Sequence, residues 1–487
     1  MKKTIIMILF CAVLPALIHA QVFRYTYGAL GQDIGEAVRQ VPDLGFVVAG
    51  STGSFGNGNS DVYLIKTEPD GVFQWSKNYG GTQVDQALDV RSTLDSGFVI
   101  VGSTNSFGAG GFDVYMIRTD IVGVVLWEKT YGGSDWDFGH KVITLSDGGF
   151  MIIGDTYSFG SGNSDMYLIR TDENGDTLWT KTYGGSFEDR GRAVKATQDG
   201  GFILAGGMSS TLDDMDAYLV RTDNAGNILW SNNFGGDSLD IARDVVQTAD
   251  LGFSALGITE SSSEWTEMYH YRTDATGALM WENNWGQIND QEGFELVLRE
   301  DGGYVLGGFT KTSGGGGKDF IMQFQSPGGG FEAGRTFGGL SDEEAFSLDT
   351  TNTGGYVMAG STLGSGFGQR DVMVIRKDSD GGPGGKPAIS FFDPLSINDI
   401  NATGFKISIY PNPFSAGAYI SVEHQEFVIH EWSLEIFDVI GRPVRNLAVK
   451  RSERIWFDPQ NIKPGVYFYQ VLRKGSIIGS GKLILQP

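Results

Sequence analysis

One acidic residue recurs at near-constant spacing along most of this chain, and that period limits its fold more than any other feature. It stands at Asp61, Asp113, Asp165, Asp216, Glu267, Asp319 and Asp371, about 52 residues apart. A glycine keeps the same step at Gly71, Gly123, Gly175, Gly226, Gly277, Gly329 and Gly381. Another opens a GF or GY segment at Gly45, Gly97, Gly149, Gly201, Gly252, Gly303 and Gly355. Seven copies follow from each series. A fixed period of this length marks solenoids, propellers or arrays, because one unit cannot bury its apolar faces alone.

Within residues 85–133 the segments ALDVRST, GFVIVGST, FDVYMIRT and VLWEKTY are strand-length and separated by Gly, Asp, Asn or Ser. Their β-branched and aromatic content favours strands, and no sustained helical period appears. Val114 and Met116 fall on one face of the third strand, Tyr115 and Ile117 on the other. A strand apolar on both faces belongs inside a stack of sheets. Four strands in each of seven copies predict an all-β, seven-bladed β-propeller over residues 21–382. The seventh copy ends at VMVIRKDSDG without a fourth strand, whereas VFRYTYG at 22–28 is a fourth strand with no copy before it. The N-terminal strand is therefore expected to complete the last blade, which satisfies two open sheet edges.

The chain of 487 residues carries 59 Asp+Glu against 36 Lys+Arg, a net charge of −23. That balance repels nucleic acid and anionic membranes and suits a soluble extracellular surface or divalent cations. Residues 1–20, MKKTIIMILFCAVLPALIHA, place Lys2 and Lys3 before an apolar run and a small residue, Ala20. This predicts a signal peptide cleaved after Ala20. The single cysteine, Cys11, lies within it, preceded by Phe10 rather than the small residue a lipoprotein needs. A mature chain without cysteine has no disulfide, thiolate nucleophile or thiolate-bound metal. No second hydrophobic span follows, and a monomer is expected.

The repeated motifs favour geometry over chemistry. TDENGDTLW (171–179) alternates oxygen ligands as a calcium loop does, but TDIVGVVLW (119–127) and TDATGALMW (273–281) drop them and keep the Asp and Gly. An Asp followed three residues later by Gly is what a hairpin with a left-handed glycine requires. Trp75, Trp127, Trp179, Trp230 and Trp281 share one position with Phe23 and Ala333. Filling the gap between sheets is preferred there to stacking on sugars, and Ala333 should mark a looser or differently filled junction. Asp33, Asp85, Asp137, Asp189, Asp240, Gln291 and Glu343 open the first strand of each copy. Its six carboxylates would ring a channel mouth and hold a cation or polar ligand, or else accept bonds from adjacent turns; the second role is preferred.

Ligand sites of repeat folds arise where copies differ. Copy five departs with ESSSEWTEMYHYRTD (260–274), making Trp265, His270 and Tyr271 candidates for recognition. Catalytic motifs are lacking: the mature chain has His140, His270, His424 and His430 and neither HExxH nor GxSxG. No catalytic residue is assigned and no cofactor is expected, calcium being the one ion considered. The recurrent D-x-x-G-x-x-x-W resembles the tryptophan-docking motif of quinoprotein dehydrogenases. That family has eight blades and stacks its quinone on a disulfide of adjacent cysteines, so the resemblance implies blade geometry here.

Residues 383–404 lack repeat features and read as a linker. From Phe405 the strands KISIYPNP, AYISVEH, SLEIFDVIGRPV, GVYFYQVLRKG and GSGKLILQ predict a small immunoglobulin-like β-sandwich over 405–487. Tyr410, Pro411, Asn412 and Pro413, then FDVIGRPV with Gly441, then Gly465 and Tyr467, then Lys482 near the end, follow in one order. This region resembles the type A sorting domain of the type IX secretion system of Bacteroidota. The resemblance implies entry into the periplasm, passage through the outer membrane by the secretion machinery, and release or attachment at the surface. The matching residues would be recognition elements. The chain as a whole is thus expected to be an exported binding module for glycans or surface proteins. An extracellular polysaccharide-active enzyme, a hydrolase or lyase, is the alternative, and an envelope-assembly protein a third.

Overall fold

In a computed structural model, residues 22–485 are described apart from 212–213, 287–288, 353, 365–368, 382–388, 393–404, 411–417, 425–430, 439–441, 451–453, 460–461, 464 and 474–475. The proposed signal peptide lies outside the described residues. Every helix or strand element among them is a strand. The chain divides into two compact units, Met1–Phe391 and Phe392–Pro487.

The first unit is a seven-bladed propeller. Each of blades 1–6 is a four-stranded antiparallel sheet in chain order, as in blade 2: Asp85–Ser92, Phe98–Thr104, Asp113–Thr119 and Val125–Tyr131. The second and third strands are buried on both faces in all seven blades except for single half-exposed positions. In blade 7 the strands Glu343–Thr351, Gly355–Thr362 and Asp371–Lys377 are followed by Phe23–Gly28, paired antiparallel so that Tyr25 faces Val374. Ile389–Phe392, inside the stretch read as a linker, adds a fifth strand beside it.

The hairpin and the aromatic position latch each blade to the next. Gly175 has φ of 78°, and its amide closes a turn on the Asp172 carbonyl at 3.2 Å. The Asp172 carboxylate accepts the amides of Asn174 and Asp176, both at 2.9 Å. That turn packs on the preceding blade, where a Cβ at Gly175 would stand 2.7 Å from the Trp127 ring. The Tyr131 hydroxyl donates to the Gly175 carbonyl at 2.7 Å. The same bond joins Tyr79 to Gly123, Tyr183 to Gly226 and, at the closure, Tyr27 to Gly71. Phe23 there takes the place of Trp and meets Phe46 edge-on at 5.5 Å. At Ala333 the filler changes: Phe324 covers Gly381 and packs against Tyr356.

The innermost strands meet in a buried ion network across the channel. Arg39 of blade 1 donates to Asp89 of blade 2 at 3.0 Å and to Glu295 of blade 6 at 2.8 Å. Lys141 of blade 3 reaches Glu295 at 2.5 Å, and Lys195 of blade 4 reaches Asp244 of blade 5 at 3.4 Å. Ser347 of blade 7 donates to Glu295 at 2.7 Å, so every blade contributes. Burial opposes ionisation of Glu295, but Arg39 and Lys141 override it and hold the carboxyl well below its usual range.

The second unit has a three-stranded sheet and a four-stranded sheet, the latter ordered Pro443–Lys450, Glu431–Asp438, Gly465–Arg473, Ser476–Leu485. Ile420 and Phe457 from the first pack with Trp432, Leu434, Val471 and Leu483 from the second in one core.

Two outcomes follow from this architecture. Deleting residues 22–28 exposes the outer edge of blade 7 and removes the buried rings of Phe23, Tyr25 and Tyr27. At about 2 kcal/mol per ring, the loss should lower the melting temperature by roughly 10 °C or more; an unchanged thermal scan by circular dichroism would contradict closure. Glu295→Ala removes the carboxylate that Arg39 and Lys141 share and leaves Arg39 with Asp89 alone, so chemical unfolding should record a loss of about 3 kcal/mol.

Candidate functional site

The channel site is built by a bulge that recurs in every inner strand. In blade 1 Gly35 pairs with Gly50 and Ala37 with Ala49, so that Glu36 is the extra residue. The shift recurs at the same place in the other six blades. A bulge leaves one residue unpaired and re-aims its side chain. The partner must be glycine, because a Cβ at Gly50 would collide with the Ile34 carbonyl. The bulged residues are Glu36, Leu88, His140, Arg192, Arg243, Phe294 and Phe346, and all seven line one cavity. Thus the position that faces the channel is one at which the copies diverge, with five residue types among seven.

The cavity has a volume of about 300 Å³ and also takes in Lys141, Arg190 and Ile241. Lys141 belongs to the ion network, which therefore adjoins its inner end. The cationic wall is braced by carboxylates. Arg192 donates to both Asp155 oxygens at 2.9 and 2.8 Å, and His140 shares that carboxylate at 3.0 Å. Burial and the Arg192 charge lower the His140 pKa against the pull of Asp155. Arg243 pairs with Glu292 at 2.8 Å and lies over the Phe294 ring at 4.0 Å. Glu36 is pushed up to about 7 by burial, with Glu344 adding to the rise and Lys141 and Arg370 opposing it.

An aromatic cluster stands at the start of the strand Asp137–Thr144, which carries His140 into this cavity. Trp136 is 52 % exposed and Tyr157 40 %. Trp136 meets Phe112, Phe138 and Tyr157 at ring separations of 6.3–6.4 Å, all edge-on. Burial and the charges of Glu188 and Asp155 raise the Tyr157 pKa, and Arg190 opposes them.

The six carboxylates of the first-strand series are brought together with turns, not with open solvent. Asp33 accepts from Thr52 at 2.5 Å, Ser54 at 2.6 Å and the Ala29 amide at 2.9 Å. Asp85 accepts from Thr104, Ser106 and the Gly81 amide, and Asp137 from Ser158 and the Gly133 amide. Asp189, Asp240 and Glu343 receive the Gly185, Gly236 and Gly339 amides. All six are at most 1 % exposed. Among the described residues no group of three His, Cys, Asp or Glu is placed to hold a metal ion.

The copy-five residues separate. Trp265 is 42 % exposed in a loop, whereas His270 and Tyr271 are both 0 % exposed and have no path to an external ligand. His270 bonds Ser254 at 2.7 Å and Gln325 of the next blade at 2.6 Å, and burial lowers its pKa to about 4. It replaces an apolar residue, equivalent to Leu168 or Met116, with a neutral polar tie between blades. In the C-terminal unit Tyr410 pairs with Tyr419 and Lys482 with Phe468, and the Tyr467 hydroxyl donates to the Lys463 carbonyl at 2.7 Å. Gly465 opens the strand that carries Tyr467. Pro411, Asn412, Pro413 and Gly441 lie outside the described residues.

The channel ring was missed from sequence, although a signal existed. Gly50, Gly102, Gly154, Gly206, Gly257, Gly308 and Gly360 form a further periodic series, each opposite a bulge.

Glu36 makes stability depend on pH. Its folded-state pKa of about 7 exceeds the unfolded value of 4.5, so the folded state holds a proton the unfolded chain releases, and this contribution is lost as pH rises through 7. Glu36→Gln should be about 1–3 kcal/mol more stable than the parent near pH 8, with a flatter profile between about pH 5 and 7. Superimposable denaturation profiles would refute the assignment.

Part of the chain is similar to the regulatory protein FlaEY of Caulobacter vibrioides, 26% identical over 28% of this chain and 17% of that protein. The match thus spans well under two thirds of that relative. Among solved structures, the extracellular domain of a hybrid two-component system from B. thetaiotaomicron aligns over 96% of this chain and 58% of its own, with 9% identity and a TM-score of 0.42. The polysaccharide lyase Uly1 aligns over 75% and 94%, with 11% identity and a TM-score of 0.46. Residues 408–486 match the secretion system C-terminal sorting domain family, which makes this a protein exported through the periplasm to the cell surface or the extracellular space by the type IX machinery.

Proposed function

We propose that this protein is an exported binding module that holds a glycan on the pocketed face of its propeller, residues 21–382, with 405–487 serving delivery. The observation that carries this reading is the exposed aromatic cluster of Trp136 and Tyr157 at the start of a strand that leads into the cavity lined by the seven divergent bulge residues. Aromatic faces offer an apolar surface with little entropy to lose, on which the C–H face of a sugar ring packs. Scaffold positions repeat from blade to blade, whereas the cavity wall does not, as a site for one ligand requires. A surface protein is the other partner class for the same face.

A specific observation also favours a second reading, catalysis on polysaccharide. Glu36 sits near 7, while Lys318 and Arg370 lower the neighbouring Glu344 despite its burial. Two carboxylates pushed apart in this way are the usual arrangement for an acid and a base.

One experiment separates the two. The mature protein should be retained by members of a polysaccharide panel without releasing reducing ends. Trp136→Ala should weaken that retention about tenfold, the equivalent of about 1.4 kcal/mol. Release of reducing ends that Glu36→Gln abolishes would establish the enzyme instead, and failure to bind any polysaccharide would overturn the glycan reading.

A further inference from the structure

Resting on the glycan reading, we propose that the channel cavity is a subsite for the carboxylate of an acidic sugar, received by Arg243 with Arg190 and Arg192 beside it. A chain with a net charge of −23 would ordinarily repel such a ligand, so a local arrangement has to overcome the global field.

Three observations supply it. First, Arg243 has unfilled capacity: its Nη2 is held by Glu292 at 2.8 Å, while its buried Nη1 has no acceptor. A buried donor without a partner costs free energy that an incoming anion would recover. Second, the three arginines line the one cavity. Burial disfavours the charged form of Arg243, Glu292 opposes that, and Arg192 and Arg190 add to it. An anion is the ligand that relieves mutual repulsion among fixed cations. Third, Arg192 and Arg190 are themselves held in place, by Asp155 at 2.8 Å and by Glu188 at 2.7 Å, so their orientation is set before a ligand arrives.

The shape of the site selects the rest of the ligand. A planar carboxylate matches the planar fork of a guanidinium, which donates two parallel bonds. A cavity of about 300 Å³ lies at the small end of ligand pockets and suits one ring rather than a longer segment. Phe294 and Phe346 line the same cavity, offering apolar surface to a sugar ring whose carboxylate meets the arginines. The Trp136 cluster then offers a platform for the sugars that follow. An acidic peptide would bring backbone N–H and C=O groups that also need partners, and this cavity is lined by charged and apolar side chains.

The test uses the mature full-length protein and isothermal titration near pH 7. The probes are oligogalacturonate and oligoglucuronate, the fully methyl-esterified form of each, and tetraglutamate. At least one acidic oligosaccharide should bind at least tenfold tighter than its ester. Arg243→Met should abolish that difference, and Arg243→Lys should restore part of it. Equal binding of acid and ester would overturn the carboxylate subsite and leave the glycan reading standing. An undiminished acid preference in Arg243→Met would overturn the role of Arg243, and tighter binding of tetraglutamate would replace the sugar by a peptide. Failure of every saccharide in this set and in the polysaccharide panel would overturn both readings. If Arg243→Met shows no cooperative melting transition, the comparison of acid with ester on the parent protein decides alone.

Discussion

A ring of sheets exists only if its last gap is filled, and here the filling is the antiparallel pairing of Phe23–Gly28 with Asp371–Lys377. Everything else in the propeller presupposes it. The closing strand brings the same parts that every other fourth strand brings, an aromatic filler at Phe23 and a hydroxyl latch at Tyr27. The seventh junction is therefore chemically one of a set, and the apolar cluster that spans it joins Tyr27 and Val374 to Val38 and Phe46 of blade 1. Inside the ring, the network around Arg39 and Glu295 ties non-neighbouring blades together, which sheet-to-sheet packing alone does not do.

The repeated and the divergent positions have different tasks. The buried carboxylates of the first-strand series clamp the loops that lead into each blade, and their constancy reflects the constancy of those loops. The bulge has a constant backbone and a free side chain. That separation lets the channel wall vary from Glu36 through Arg243 to Phe346 without disturbing the sheets.

What was legible in the sequence was what is local and periodic. Closure followed from a missing fourth strand at one end and a spare one at the other, and the Asp–Gly hairpins followed from turn chemistry. The exchange of filler at Ala333 was visible as a break in an otherwise aromatic series. The channel ring was not legible, because a bulge shifts the alternation by one residue and holds five residue types among the seven copies. His270 misled for a related reason. Its departure from the other copies marked it as a candidate for recognition, but Ser254 and Gln325 satisfy both ring nitrogens inside the core. Trp136 escaped notice because it belongs to no series, standing in a connection that differs in every copy.

The closing pair also governs when the molecule becomes whole. Its two strands are separated by nearly the entire propeller sequence, so Phe23–Gly28 has no partner until the last sector is made. Until then the two closing edges stay unpaired, although the six blades between them are each built from consecutive strands.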